Sequence, residues 1–179
     1  MILSDQQREE NFMEFLRFTN EPDYYDVTFD EKSGGVSAIH VSHRFDKTQG
    51  PWGQRRGDYE LMATNILRQN GHLIILGPET NELCKKCFDG MLDGMSCEIK
   101  TIEGNGRWAV RTKIVDAVKQ GAECVVLFFP DSSLLSIPKI VEGWKMYEEA
   151  RPWNPTWCDL SRILVAWDSG LIEIEKPPR

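Results

Sequence analysis

The sequence lacks any apolar run that approaches the roughly 20 residues needed to cross a bilayer. Its first residues carry acids and glutamines where a secretory signal would have an apolar segment. Hydrophobic residues make up 41% of the chain and aromatic residues 10%, a composition typical of a folded soluble protein. We therefore expect no membrane partner, and 179 residues are enough for a substantial core.

The sequence has few cysteines, and their spacing is not typical of disulfide pairs. The five cysteines are odd in number and scattered, so no disulfide framework is expected and a reducing, cytoplasmic setting is favoured. Cys84 and Cys87 have the spacing of half a zinc site, but the sequence has no second C-x-x-C pair. Two free thiols in a loop are the simpler interpretation of this pair.

The net charge of −7 does not indicate a nucleic-acid ligand, but its distribution is uneven. Residues 1–31 hold nine acids against two bases, which accounts for the whole excess. Residues 100–119 hold five bases against two acids, and a basic strip of this kind suits a phosphate backbone. The alternative is the solvated face of a helix. One hypothesis is that the acidic segment covers this basic strip, and the simpler one is a solvated helix.

The order of hydrophobic patterns predicts an α/β fold with a mixed central sheet flanked by helices. Asp58 is expected to cap the second helix and Gly71 to end it. Residues 20–35 are acidic and interrupted by proline and glycine, so they are predicted to be a connecting segment with at most a short strand. Predicted helices cover 5–18, 58–70, 109–120 and 137–150, and predicted strands and hairpins cover 73–76, 89–102, 124–129 and 163–174.

The segment 89–100 carries the residues with the clearest chemistry. Residues 96–102 alternate with period two, so Glu98 and Lys100 should share one strand face and Ile99 should point to the other. Asp89, from the adjoining strand of the hairpin, can join Glu98 in holding a divalent metal beside an ammonium group. Such a site can cut a phosphodiester, and the alternative is a solvated ion pair. Asp93 is assigned to the turn rather than to the site.

Several segments together resemble the PD-(D/E)XK nuclease superfamily. They are 35–43, Tyr59-Glu60, 70–72, 89–100 and 114–126. Within the superfamily the chain is most similar to the CdiA C-terminal tRNase domains of contact-dependent inhibition toxins, and to related phage head-morphogenesis protein domains. The resemblance implies a restriction-endonuclease-like core at 34–132. The acidic segment 1–33 and a C-terminal helix and hairpin at 133–179 would pack on it as one domain.

The resemblance also implies roles for five residues. Asp89 and Glu98 would bind a divalent metal, Mg²⁺ before Mn²⁺ or Zn²⁺, and Glu60 would complete the metal shell. Lys100 would orient or activate water, or steady the pentavalent phosphate, and Gln120 would position the lysine or the water. Judged without the resemblance, Glu60 is a surface residue on a helix and Gln120 a helix-capping residue.

Candidate substrate contacts come from an extended segment and from the basic strip. His40 and His43 should lie on opposite strand faces, which is poor for shared metal binding, but one of them can contact phosphate or assist proton transfer. Arg107, Arg111 and Lys113 are the basic residues that we expect to contact the substrate backbone.

The predicted function is a metal-dependent endonuclease that hydrolyses phosphodiester bonds in nucleic acid. The resemblance favours RNA, tRNA in particular, over DNA. It also implies a toxin or a phage or mobile-element effector, with an immunity or inhibitor protein as partner. The alternative is a non-catalytic nuclease-fold module that serves as a structural or interaction part of a phage or mobile element.

Overall fold

The computed structural model describes residues 3–78, 88–104 and 106–177. Its strands form one eight-stranded mixed sheet in which spatial order follows chain order. The helices are α1 (Asp5–Asn20), α2 (Arg56–Gln69), α3 (Arg107–Lys119) and α4 (Ile137–Ala150). The strands are β1 (Tyr24–Phe29), β2 (Val36–His40), β3 (Leu73–Leu76), β4 (Gly90–Leu92), β5 (Met95–Thr101), β6 (Cys124–Phe129), β7 (Arg162–Trp167) and β8 (Gly170–Ile174). The predicted fold class, a mixed central sheet flanked by helices, is confirmed.

The sheet combines hairpins with helical crossovers. Strands β2 and β3 are parallel and are joined through α2, while β5, β6 and β7 are parallel and are joined through α3 and α4. The remaining neighbours are antiparallel. Parallel strands need such crossovers, which explains why helices cover both faces of the sheet.

Strand β6 divides the core between the two faces. Val125 and Leu127 pack into the cluster beneath α3 and α4, where Trp144 is fully buried. Val126 and Phe128 pack into the cluster beneath α2. Every residue of β6 is buried, so the predicted strand covered on both faces is confirmed. The predicted bounds of α4, with Pro138 in its first turn where no amide donor is needed, also agree with the structure.

Helix α2 begins earlier than the capping signal predicted. It starts at Arg56, and Asp58 lies inside its first turn, where Asp58 Oδ2 accepts a hydrogen bond from the Arg55 amide at 3.1 Å. The prediction that Asp58 is the N-cap is therefore wrong by three positions, because Arg55 is the N-cap and the Asp58 carboxylate reaches back to its amide. Gly71 ends the helix with a φ of +91°, as predicted. This placement puts Glu60 near the start of α2.

The acidic N-terminal segment contains more structure than its sequence predicted. Residues 24–29 form β1, a six-residue strand that extends the sheet antiparallel to β2. Helix α1 buries Phe18, and its Phe12 ring lies 5.3 Å from that of Phe29. The helix contacts β1 and β2, whereas α3 contacts β5 and α4. The acidic helix is thus held at one edge of the sheet, away from the basic strip that it was suggested to cover.

The predicted hairpin around Asp93 and Gly94 is present between β4 and β5. Both residues have positive φ, +50° and +85°, as a two-residue type I′ turn requires. The Asp93 carboxylate accepts a hydrogen bond from the Leu73 amide at 3.0 Å and pairs with His72 and Arg162. Its role is therefore structural, in agreement with its assignment to the turn.

Two sequence features outside the sheet can also be compared with the structure. Within the described ranges, no helix has both the length and the apolar character that a membrane span needs. Cys97, Cys124 and Cys158 are free thiols. The suggested zinc half-site at Cys84 and Cys87 lies outside the described residues.

Gly90 permits the close approach of β4 to β3, so a larger residue at this position should destabilise the sheet. A Cβ atom at Gly90 would lie 2.0 Å from the Ile75 carbonyl oxygen, so Gly90→Ala must force two backbones apart. We expect it to lower the free energy of unfolding by about 3 kcal/mol in urea titrations. Gly77→Ala is the matched control, because its Cβ would meet only ordinary contacts at 3.8 Å or more. Equal stability of the two variants would contradict this account of the packing.

Candidate active site

Asp89 and Glu98 meet where β4 begins beside β5. The hairpin register pairs Gly90 with Cys97, which places the preceding Asp89 opposite Glu98. The Asp89 amide donates to Glu98 Oε2 at 2.9 Å, and the Ile99 amide donates to Asp89 Oδ2 at 2.7 Å. Glu98 is only 1% exposed. The two carboxylates are thus fixed against each other by backbone amides rather than held by flexible side chains.

Lys100 lies on the same strand face as Glu98 and contacts its carboxylate. Lys100 Nζ donates to Glu98 Oε1, and the exposed fractions of the two side chains are 19% and 1%. Ile99 points the other way, into the cluster beneath α2. The predicted alternation is therefore confirmed, and the alternative of a solvated ion pair is wrong because the carboxylate is buried.

The two carboxyl groups share a site in which ionising both is unfavourable. Burial, with the negative charge of Asp89 nearby, raises the pKa of Glu98 to about 8. Burial also raises the pKa of Asp89, although the Lys100 ammonium opposes the rise. A cation placed between the two oxygen sets would relieve this repulsion. Paired hard oxygen donors fit Mg²⁺ or Mn²⁺, whereas Zn²⁺ more often takes nitrogen and sulfur ligands.

Glu60 reaches this site from α2 and pairs with His43. The Glu60 side chain is 16% exposed, and its Oε1 lies 2.9 Å from His43 Nε2. The other ring nitrogen of His43 lies 3.0 Å from the carbonyl oxygen of Gly77, whose amide in turn donates to the Asp89 carbonyl at 2.8 Å. Because both partners of His43 are acceptors, a ring protonated on both nitrogens satisfies both. Burial is the largest single influence and opposes that charge. The hydrogen bond and charge of Glu60, the Gly77 carbonyl and the charge of Asp89 together outweigh it, so the pKa of His43 is raised.

Three predicted site residues and one predicted substrate contact line a single cleft of about 240 Å³. They are Glu60, Asp89, Lys100 and Lys113, and Glu98 lies beside them with its carboxylate bonded to Lys100. Among the described residues, however, no group of three or more His, Cys, Asp or Glu side chains is arranged to hold a metal ion. The carboxylates of Asp89 and Glu98 form the assembled pair, and Glu60 is engaged by His43.

The cleft also contains residues that the sequence reasoning did not select. Arg44 and Arg56 line it, and Arg56 forms a two-point ion pair with Glu103 at 2.9 and 3.1 Å. The sequence signal for Arg56 is the Arg55-Arg56 pair at the start of the helix that carries Glu60. The surrounding glycines and proline, however, indicate only a loop.

The structure places Gln120 and His40 outside the cleft. Gln120 directly precedes Gly121, whose carbonyl oxygen accepts from Ser96 Oγ at 3.0 Å, so it lies near the hairpin-turn end of β5. Lys100 lies at the opposite end of that strand, beside Leu127. His40 Nδ1 lies 2.7 Å from Ser42 Oγ, and its ring packs edge-on against Tyr24 near the sheet edge. Neither residue is brought to the paired carboxylates.

Arg107 and Arg111 also point elsewhere. Arg107 contacts the Glu142 carboxylate of α4, which commits its charge to the packing of the two helices. The Arg111 guanidinium lies 5.8 Å from the centre of the exposed Trp108 ring. Lys113, alone among the three predicted basic contacts, lines the cleft.

Comparisons with known proteins support the fold. No protein-family model matches the sequence, and no match is found among curated proteins. The structure is similar to a chain of the solved CdiA-CT/CdiI toxin and immunity complex from Burkholderia pseudomallei, with a TM-score of 0.50 and 19% sequence identity. The similarity covers 78% of this chain and 98% of that chain. It shows a shared mixed α/β fold of the kind found in that complex, while membership of the PD-(D/E)XK superfamily stays a prediction.

The repulsion between the two carboxyl groups generates a prediction about stability and pH. Folded protein keeps protons on these groups at pH values where the unfolded chain has released them, so the free energy of unfolding should fall as pH rises from the ordinary carboxyl range to about 8. Asp89→Asn keeps an oxygen for the Ile99 amide and removes one charge. In metal-free buffer it should raise the thermal midpoint at pH 8 by roughly 3 °C, equivalent to about 1 kcal/mol, and flatten the pH dependence.

Asp116→Asn serves as the control for this measurement, because Asp116 is exposed on α3 and its replacement should leave both quantities unchanged. A lower midpoint for Asp89→Asn, or the same pH dependence in the variant and the original protein, would contradict the proposed repulsion.

Proposed function

We propose that this chain is a metal-dependent nuclease of the PD-(D/E)XK type that hydrolyses phosphodiester bonds in nucleic acid, with RNA and tRNA favoured over DNA. One observation carries the proposal. Glu98 is buried and Asp89 is half-buried, the two are fixed against each other, Lys100 contacts Glu98, and the cleft that Asp89 and Lys100 line also contains basic side chains. Burying such a cluster has no evident benefit for stability, and costly arrangements of this kind concentrate at functional sites.

The donor set indicates how the site would work. Asp89 and Glu98 would hold a divalent cation, and Glu60 would join them by exchanging its bond to His43. A cation bound there supplies Lewis acidity and lowers the pKa of a coordinated water. Lys100 is placed to donate a hydrogen bond to a negative oxygen as charge develops on the phosphate, and Lys113 adds a positive charge in the same cleft.

The structural neighbour supports a role for the chain as a toxin. That neighbour is a toxin and immunity complex, so we propose that this chain is a toxin domain or a related mobile-element effector that an immunity or inhibitor protein neutralises. Free thiols at Cys97, Cys124 and Cys158 agree with action in a reducing cytoplasm. Phage or mobile-element origin rests on the sequence resemblance alone.

A non-catalytic nuclease-fold module is the second candidate. The observation that favours it is that the described residues contain no ready-made group of three metal ligands. A binding module of this kind has no reason to bind Mg²⁺ or Mn²⁺ at Asp89 and Glu98, so it differs from the nuclease in a property that can be measured without a substrate.

Cleavage assays test the nuclease proposal. We expect purified protein to degrade total RNA or tRNA in Mg²⁺ or Mn²⁺, with plasmid DNA cut less readily and no cleavage in EDTA. Asp89→Asn, Glu98→Ala and Lys100→Ala should each lower the rate by at least about 100-fold, since each removes a charge that acts on the reacting phosphate or its cation.

Lys176→Ala is the matched control for Lys100→Ala. Lys176 is also paired, with Glu148 and Asp159, but it is exposed and lies on the C-terminal segment away from the cleft. It should retain full activity. The nuclease proposal fails if the folded protein leaves RNA and DNA intact under all metal conditions, or if the three site variants cleave at the original rate.

A further inference from the structure

A second cavity opens beside the candidate active site. Its volume is about 660 Å³, and it lies between the loop that follows β2 and the first turns of α2. Arg44 and Asp46 line both this cavity and the cleft that contains Asp89, so the two spaces are contiguous. A molecule bound at the carboxylates therefore has room to continue into this neighbouring cavity.

Three cations at this cavity are not committed to ion pairs. Arg44, Lys47 and Arg55 are exposed, and in the described part of the chain none of them has a carboxylate within ion-pair distance. Elsewhere on the molecule arginine is generally paired, as Arg107 is with Glu142 and Arg162 is with Asp93 and Glu173. Positive charge at the cavity is therefore available to a ligand.

The acids at the same cavity are turned toward the backbone. Asp46 Oδ1 accepts from the Thr48 amide at 2.8 Å, and Asp58 Oδ2 accepts from the Arg55 amide at 3.1 Å. Further bonds fix the loop to α2, including one from the Gly57 amide to the Asp46 carbonyl at 2.8 Å. These contacts hold the backbone that carries the three cations, so a ligand would not need to order it.

The floor of the cavity is apolar. The half-buried Phe45 ring packs edge-on against His43, with ring centroids 4.7 Å apart, and Leu61 of α2 lies alongside. A Cβ atom at Gly57 would lie 2.5 Å from Phe45 Cβ, so glycine there permits the close approach of helix and loop. An aromatic and aliphatic surface beneath a rim of cations matches a nucleotide, whose flat base and anionic phosphate need these two environments.

We propose that this cavity binds one unpaired nucleotide next to the scissile phosphate, and the proposal rests on the nuclease function proposed above. The base lies against Phe45 and Leu61, and its phosphate is held by Arg44, Lys47 and Arg55. A base inside a duplex is stacked between its neighbours and cannot present a face to the cavity. The substrate class is therefore nucleic acid that is single-stranded or has an unpaired residue at the cleavage position.

Equilibrium binding in EDTA tests this proposal without cleavage. The probe is a fluorescein-labelled mixed-sequence single-stranded RNA, compared by anisotropy with the same strand in a full duplex. We expect tighter binding of the single strand by at least about 10-fold. Arg44→Ala, Lys47→Ala and Arg55→Ala combined should weaken single-strand binding by about 10-fold or more and lower the slope of log affinity against log salt by about 0.7, the contribution of the one phosphate that they hold.

A charge-matched triple variant, Lys32→Ala, Lys139→Ala and Lys145→Ala, is the control, since these lysines also lack ion pairs in the described residues but lie away from the cavity. It should bind the RNA as the original protein does. Phe45→Leu keeps apolar volume but removes the ring, and should weaken single-strand binding more than duplex binding.

The proposal is overturned if the cavity variant retains the original affinity and salt slope, if the control loses as much, or if duplex and single strand bind equally. Failure of the nuclease proposal looks different, because RNA would then bind in the cavity-dependent way while no cleavage occurs in Mg²⁺ or Mn²⁺. Conversely, intact cleavage by the cavity variant, together with unchanged binding, removes the cavity proposal and leaves the nuclease standing.

Discussion

The close approach of two carboxylates, the half-buried Asp89 and the buried Glu98, is the constraint on which the site depends. Neither group can be moved independently, because each accepts a hydrogen bond from a backbone amide of the opposite strand. The glycine at position 90 lets β4 approach β3 closely enough to present Asp89, and Lys100 supplies the only positive charge in direct contact with Glu98 among the described side chains. The repulsion that remains is a local cost, of the kind that folded proteins carry at sites that bind or react.

Local patterns predicted the part of the site that lies on one hairpin. Alternation placed Glu98 and Lys100 on one face, and the Asp93-Gly94 turn set the register that brings Asp89 opposite them. The contacts made by His43, Arg44 and other residues distant in sequence could not be predicted, because they depend on how α2 and the loop before it pack over the sheet. Gln120 illustrates the same limit. The sequence predicts that it lies at a helix end, but it does not predict that α3 runs antiparallel to β5 and carries Gln120 away from Lys100.

Charge is distributed unevenly over the fold. The acidic helix α1 packs at the β1 edge, and Arg107 on α3 and Arg162 on β7 form ion pairs with neighbouring elements. Arg44, Lys47 and Arg55, which have no ion pair among the described residues, lie together around the loop before α2, next to Asp89 and Glu98. A negative net charge is thus compatible with a polyanionic ligand, since long-range repulsion is screened in salt while the nearby cations act at short range.

Calorimetric titration with Mn²⁺ tests the central claim most directly. If Asp89 and Glu98 form a cation site, they keep protons while no cation is bound. Binding of Mn²⁺ to the original protein at about pH 7 must then release protons from these carboxyl groups, so that the measured heat depends on the ionisation enthalpy of the buffer. Asp89→Asn should abolish or greatly weaken that binding while the protein stays folded. Absence of Mn²⁺ binding by the original protein, or binding and proton release that are unchanged in Asp89→Asn, would contradict the account.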